Sequence, residues 1–187
     1  MNDTAVILIA LVAVVVLGLL AVLLWRGARR RRLRQRFGPE YDHAVRSTGD
    51  RRRAEADLEG REKRVRSLDL RELDGAERER FDTRWRALQS RFVDQPSEAV
   101  AEADGLISEV MRARGYPDED YRQRQADLSV EYPAEVREYR QALAIAGRNR
   151  RGEATTEDLR QAMVHYRNLF QHLLGTEGHD EPAREIA

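Results

Sequence analysis

The stretch "AVILIALVAVVVLGLLAVLLWRGARRRRLRQRF", residues 5–37, divides the chain. From Ala5 to Trp25 it runs 21 residues without a charge; the next eleven residues hold seven arginines. At 1.5 Å per residue the apolar run spans about 30 Å, the thickness of a bilayer's hydrocarbon core. A helix satisfies its own backbone there, which hydrocarbon demands. A cleaved signal peptide would carry a basic start, a shorter apolar run and a small-residue cleavage site. Here the start is "MNDT" and the run ends in Trp25 and Arg26, so the segment reads as a retained anchor. Arg26, Arg29, Arg30, Arg31, Arg32, Arg34 and Arg36 all follow it and none precedes it. The positive-inside rule then predicts residues 1–4 outside, a transmembrane helix over 5–25, a basic juxtamembrane segment over 26–36 and the rest in the cytoplasm of the plasma membrane.

The formal net charge of zero hides an asymmetry. Residues 1–36 carry +6, and the remaining 151 carry −6. An acidic bulk repels phosphate backbones, so nucleic acid is not an expected partner. The arginines have two readings: orientation alone, or selective attraction to anionic lipid, about 1 kcal/mol per basic residue near such a surface. The absence of cysteine removes disulfides, thiolate zinc sites and thiol nucleophiles from consideration. Arginine outnumbers lysine 32 to one, as codon bias in a GC-rich genome would produce.

Beyond the basic segment the composition changes twice. Residues 37–80 hold eight large apolar residues in 44, whereas 81–174 hold 27 in 94. Residues 37–73 therefore read as a charged helical stalk, 74–175 as a helical bundle and 176–187 as a flexible tail. In the stalk, Gly38-Pro39 breaks the juxtamembrane helix, Pro39 opens a short helix to about Arg46, and Gly49-Asp50 offers a second break and a cap. Ala54, Leu58, Val65 and Leu68 then form one narrow seam, with Arg61 in the missing step. It can lean on the bundle or support homo-oligomerisation through the stalk. Charges at i, i+4 (Arg51 with Glu55, Arg53 with Asp57, Glu59 with Lys63, Glu62 with Arg66) add a few tenths of a kcal/mol each to the helix, on the order of 0.2–0.5.

The bundle region predicts four or five amphipathic helices and no sheet, since no stretch alternates with period two. Asp74 and Glu77 stand at capping-box spacing ahead of the stripe Phe81, Trp85, Leu88, Phe92. Pro96 opens the next helix, with Ala99, Val100, Ala103, Leu106, Ile107, Val110 and Met111 inward, ending at Gly115. A shorter helix follows over about Asp118–Ser129, with Tyr121 and Leu128 inward. Pro133 opens another, with Val136, Tyr139, Leu143 and Ala146 inward. The last begins at Thr155 or Thr156, buries Leu159, Met163, Tyr166, Phe170 and Leu173, and stops at Gly175. The fold class is all-α.

No residue constellation names a reaction. His165 and His172 lie about 10 Å apart along one helix, too far to share a metal. No nucleophile elbow or Gly-rich phosphate loop occurs, so no catalytic residue, metal or cofactor is assigned. The distinctive local feature is a repeated Tyr-Pro, "GYPDEDY" at 115–121 and "EYPAEVREY" at 131–139. Proline and acids at helix starts account for it; the functional alternative is a partner-binding patch of Tyr116, Tyr121, Tyr132 and Tyr139.

The stretches "LRQRFGPEYDHAV", "RFVDQPSEAVAEADGLISEVMRARGYP", "QADLSVEYP" and "GEATTEDLRQAMVHYRNLF" resemble uncharacterised membrane-anchored helical proteins of GC-rich Gram-positive bacteria, often labelled secreted or membrane proteins. The resemblance spans most of residues 33–174. It implies a single N-terminal span and a helical domain, and no activity. A secreted label conflicts with the topology read from the arginines, which is kept. The expected function is a membrane-anchored interaction or scaffold protein with the lipid bilayer and an unknown protein as partners. The alternatives are an anionic-lipid-sensing regulator and an enzyme with a carboxylate- or Arg-lined bundle cleft.

Overall fold

The computed structural model describes residues 3–118 and 120–175. Among them are eight helices and no strand: α1 (Asp3–Phe37), α2 (Pro39–Thr48), α3 (Arg51–Arg66), α4 (Gly75–Arg91), α5 (Pro96–Ala113), α6 (Tyr121–Glu131), α7 (Glu135–Arg150) and α8 (Thr156–Leu174). The predicted outer tip and tail, 1–4 and 176–187, lie largely outside the described residues. The chain forms two compact units, residues 1–59 and 60–187.

In the first unit, α1 continues without a break from the apolar run through the arginines to Phe37. It holds a stretch long and apolar enough to cross a membrane, with a mean hydropathy of 2.4. The described large apolar side chains between Leu11 and Trp25 are exposed, whereas Leu33 and Phe37, one turn apart, are fully buried. Gly38, at φ 46°, lets the backbone leave the helix, and Pro39 presets the start of α2. The left-handed Gly49 ends α2 and donates to the Val45 carbonyl. Asp50 then caps α3, its carboxylate accepting the Arg52 and Arg53 amides at 2.7 and 3.3 Å. Tyr41, Ala44, Ala54 and Leu58 are buried as well.

In the second unit, α8 packs against both α7 and α5, α4 packs on α5, and α6 packs on α7. Two capping boxes start the first and last helices of this bundle, Asp74 with Glu77 on α4 and Thr155 with Asp158 on α8. All seven apolar positions expected on α5 are buried, as are all five on α8. On α7 the buried face is rotated slightly: Ala142 and Ile145 join Val136, Tyr139 and Ala146, while Leu143 is half-buried. Pro133 sits in a turn before α7, which begins at Glu135. Tyr121, expected inward, is 46% exposed, because the first residue of α6 lies at the open end of that helix.

The compact unit starts earlier than residue 74. Leu73 is buried in the core, and Leu68 and Leu70 pack against it. Gly115 shows how closely this segment runs: a Cβ there would lie 2.4 Å from the Asp69 carbonyl oxygen, and φ is 95°. The Arg71 amide donates to the Arg114 carbonyl at 2.9 Å beside it. Arg61 and Arg64, at the end of α3, reach Ser129 at 3.0 Å and the buried Asp127 at 3.1 Å on α6. Three leucines scattered among charges gave a stalk-like composition to a segment that closes the bundle. The seam itself is covered within one chain, since Ala54, Leu58 and Val65 are all buried; Leu68 lies beyond the end of α3.

Candidate functional site

The basic segment occupies the last three turns of α1, which spreads its arginines around the helix. Arg29 and Arg30 are half-buried; Arg26, Arg31, Arg32, Arg34 and Arg36 are exposed. Arg29 makes a two-pronged pair with Glu59 of α3, one bond being 2.6 Å, and its guanidinium lies 5.7 Å from the Trp25 ring centre. The carboxylate raises the Arg29 pKa. Arg34 reaches Asp42 at 3.2 Å and stacks over Tyr41. The Tyr41 hydroxyl donates to Glu55 at 2.8 Å. Burial first, and then that carboxylate, push its pKa up. Glu55 and Glu59, read from sequence as intrahelical partners of Arg51 and Lys63, thus connect α3 to α2 and α1. The arginine cluster is a framework as well as a charge.

The four tyrosines do not share one surface. Tyr116 and Tyr139 are buried, Tyr132 is half-buried and Tyr121 is exposed. They belong to two internal polar networks, each built on a residue that local pattern did not single out. The first centres on Asp104 of α5. Its two oxygens accept the Tyr121 and Tyr139 hydroxyls at 2.9 and 3.0 Å. Arg124 donates to the Tyr139 oxygen at 3.2 Å and lies over the Tyr121 ring. The second centres on Arg114. It donates to the Tyr132 hydroxyl and, at 3.3 Å, to the Leu173 carbonyl, while the Tyr116 hydroxyl donates to Glu131 at 2.8 Å. Burial, reinforced by Asp104, raises the Tyr139 pKa, and burial with Glu131 raises that of Tyr116. These hydroxyls hold their protons and serve as donors, which makes the networks structural cross-braces between helices.

The histidines face α7. His172 Nε2 lies 3.2 Å from Glu135, and His165 Nδ1 3.6 Å from Glu138. His172 Nδ1 is 2.7 Å from the Asn168 carbonyl, an arrangement that makes it a donor there. His165 and His172 thus each meet a carboxylate, and among the described residues no three His, Cys, Asp or Glu side chains converge as a metal site. The buried Asp127 is held by Arg64 and by Gln123, the latter at 2.8 Å, which is a satisfied ion pair and not a poised carboxylate. No protein family, curated protein or solved structure matches the chain.

Proposed function

We propose that this chain is a single-pass plasma-membrane protein, N-terminus outside, whose cytoplasmic helical unit is an interaction or scaffold module. The observation that carries the reading is α1: an exposed apolar helix passing without a break into seven arginines. Tethering raises the local concentration of such a module for other membrane-bound partners. Outside α1, the large apolar side chains left exposed among the described residues are Val93 and Tyr121. A partner therefore meets a charged surface, with Arg84–Glu109 and Arg91–Glu102 bridging α4 and α5. Such contacts favour reversible, salt-sensitive association.

The absence of native cysteine makes the topology directly testable. A single cysteine replacing Thr4 or Ala187 is treated with an impermeant maleimide on intact cells. Labelling at position 4 alone is expected; labelling at 187 would overturn the orientation. Crosslinking in native membranes then tests the scaffold role. A discrete protein adduct is expected with the full chain and not with a chain truncated after Phe37. The same products from both would remove the module from the function.

A further inference from the structure

Beside Trp25 the first unit has an open cleft walled by Arg26, Arg29 and Arg30 of α1 and by Arg51, Arg52 and Glu55 of α3. Five guanidinium groups thus meet one lining carboxylate. Glu55 is already engaged by the Tyr41 hydroxyl, and Glu59 neutralises Arg29. Among the described residues the guanidinium groups of Arg26, Arg51 and Arg52 make no salt bridge; Arg52 meets the charge of Asp50, which it shares with Arg53. The first amides of α3 are satisfied by Asp50, so it is side chains, not a helix end, that confront the cleft. Like charges gathered in one concavity repel unless an anion lies among them, and the guanidinium fork matches phosphate oxygens in pairs.

The position along α1 says which phosphate. Arg26 to Arg30 lie about 2–8 Å along the helix beyond Trp25, at 1.5 Å per residue. A headgroup layer is about 5–8 Å thick on each side of the hydrocarbon. With Trp25 at the hydrocarbon boundary, the cleft opens within the layer where lipid phosphates sit. We infer that the cleft seats the phosphate of an anionic phospholipid, held by Arg26, Arg51 and Arg52, with Arg30 alongside. This deepens the membrane-anchored reading and rests on it. It differs from a diffuse attraction because it depends on which arginines are present, not on how many.

The test uses the full chain in nanodiscs of phosphatidylcholine with a minor share of phosphatidylglycerol, reading anionic lipid retained per protein after mild detergent extraction. Enrichment of phosphatidylglycerol is expected. The double change Arg51→Gln/Arg52→Gln should reduce it about tenfold or more, at about fivefold per arginine, and Arg26→Gln on the opposite wall should reduce it about fivefold. Arg31→Gln/Arg53→Gln removes the same two charges outside the cleft and should leave the enrichment within about twofold of wild type. Equal losses in the two double variants would overturn the site in favour of diffuse attraction. A parallel titration of glycerol phosphate into phosphatidylcholine-only nanodiscs separates the sources. Saturable binding there, without lipid enrichment, would overturn the lipid as ligand. Resistance to alkaline carbonate extraction is scored separately: release from the membrane would sink the anchored reading itself, whereas retention without enrichment sinks only the site.

Discussion

Trp85 of α4 stacks on Phe170 of α8 with ring centres 4.8 Å apart and planes 20° apart. Both rings are almost wholly buried. The stack ties the first helix of the bundle to the last, across 85 residues of sequence. Truncating a buried aromatic costs about 3–5 kcal/mol through lost contacts and a residual cavity. Trp85→Ala and Phe170→Ala should each lower the melting temperature sharply, and the double variant should lose less than the sum because the partners touch. Additive losses would mean the rings act independently.

The early start of the second unit gives a truncation experiment. Fragments 60–175 and 75–175 share α4–α8, but only the longer one retains Leu68, Leu70 and Leu73. A fully buried leucine contributes about 1.5–3 kcal/mol. The longer fragment should be strongly helical and melt cooperatively, and its urea midpoint should exceed that of the shorter one. Equal midpoints would show that residues 60–74 lie idle on the surface.

Two buried tyrosines should respond oppositely to loss of the hydroxyl. Tyr139→Phe leaves Asp104 and Arg124 short of a partner, at a cost of about 1–3 kcal/mol. The Tyr166 hydroxyl is buried with no hydrogen bond among the described residues, although its ring meets Tyr139 edge-on at 6.0 Å. Tyr166→Phe should therefore keep or raise stability in chemical denaturation. A cost at Tyr166 matching that at Tyr139 would contradict this assignment.

The capping box of α4 should show in acid. The Arg71 side chain, then the Asp74 amide, lower the Glu77 pKa from 4.5 to about 2. A carboxylate whose folded value is depressed contributes stability above its unfolded value, and that contribution fades as pH falls through the folded value. The melting-temperature gap between wild type and Glu77→Gln should be full above about pH 5 and close between about pH 4.5 and pH 2. A gap that stays constant down to pH 2 would show that the charge of Glu77 is irrelevant.

What was legible in the sequence followed from period. On α5 and α8 every expected inward residue is buried, because seven and five apolar positions respectively fix one face. The helix start at Asp74 was equally plain, since the cap and Glu77 lie three residues apart, whereas the choice between Thr155 and Thr156 is made by Asp158, which pairs with Thr155. Asp104, Arg114 and Arg124 were not legible. Each joins residues 15 to 59 positions away, and a charged residue gives no local sign of whether it faces water or a distant hydroxyl. The four tyrosines grouped from the sequence fall into two hydrogen-bonded networks in the fold.

The unbroken passage of α1 from apolar run to Phe37 has a mechanical consequence. The first residue with a non-helical backbone after Trp25 is Gly38, thirteen positions on, or about 20 Å along the axis. Under the proposed anchoring, with Trp25 at the hydrocarbon boundary, that stem would pass the headgroups before the backbone can bend. Brackets from Arg29 to Glu59 and from Arg34 to Asp42 lie along it. Under the proposed anchoring, tilt or rotation of α1 would reach α2 and α3 through these two brackets, with Gly38 as the first bend beyond the headgroups.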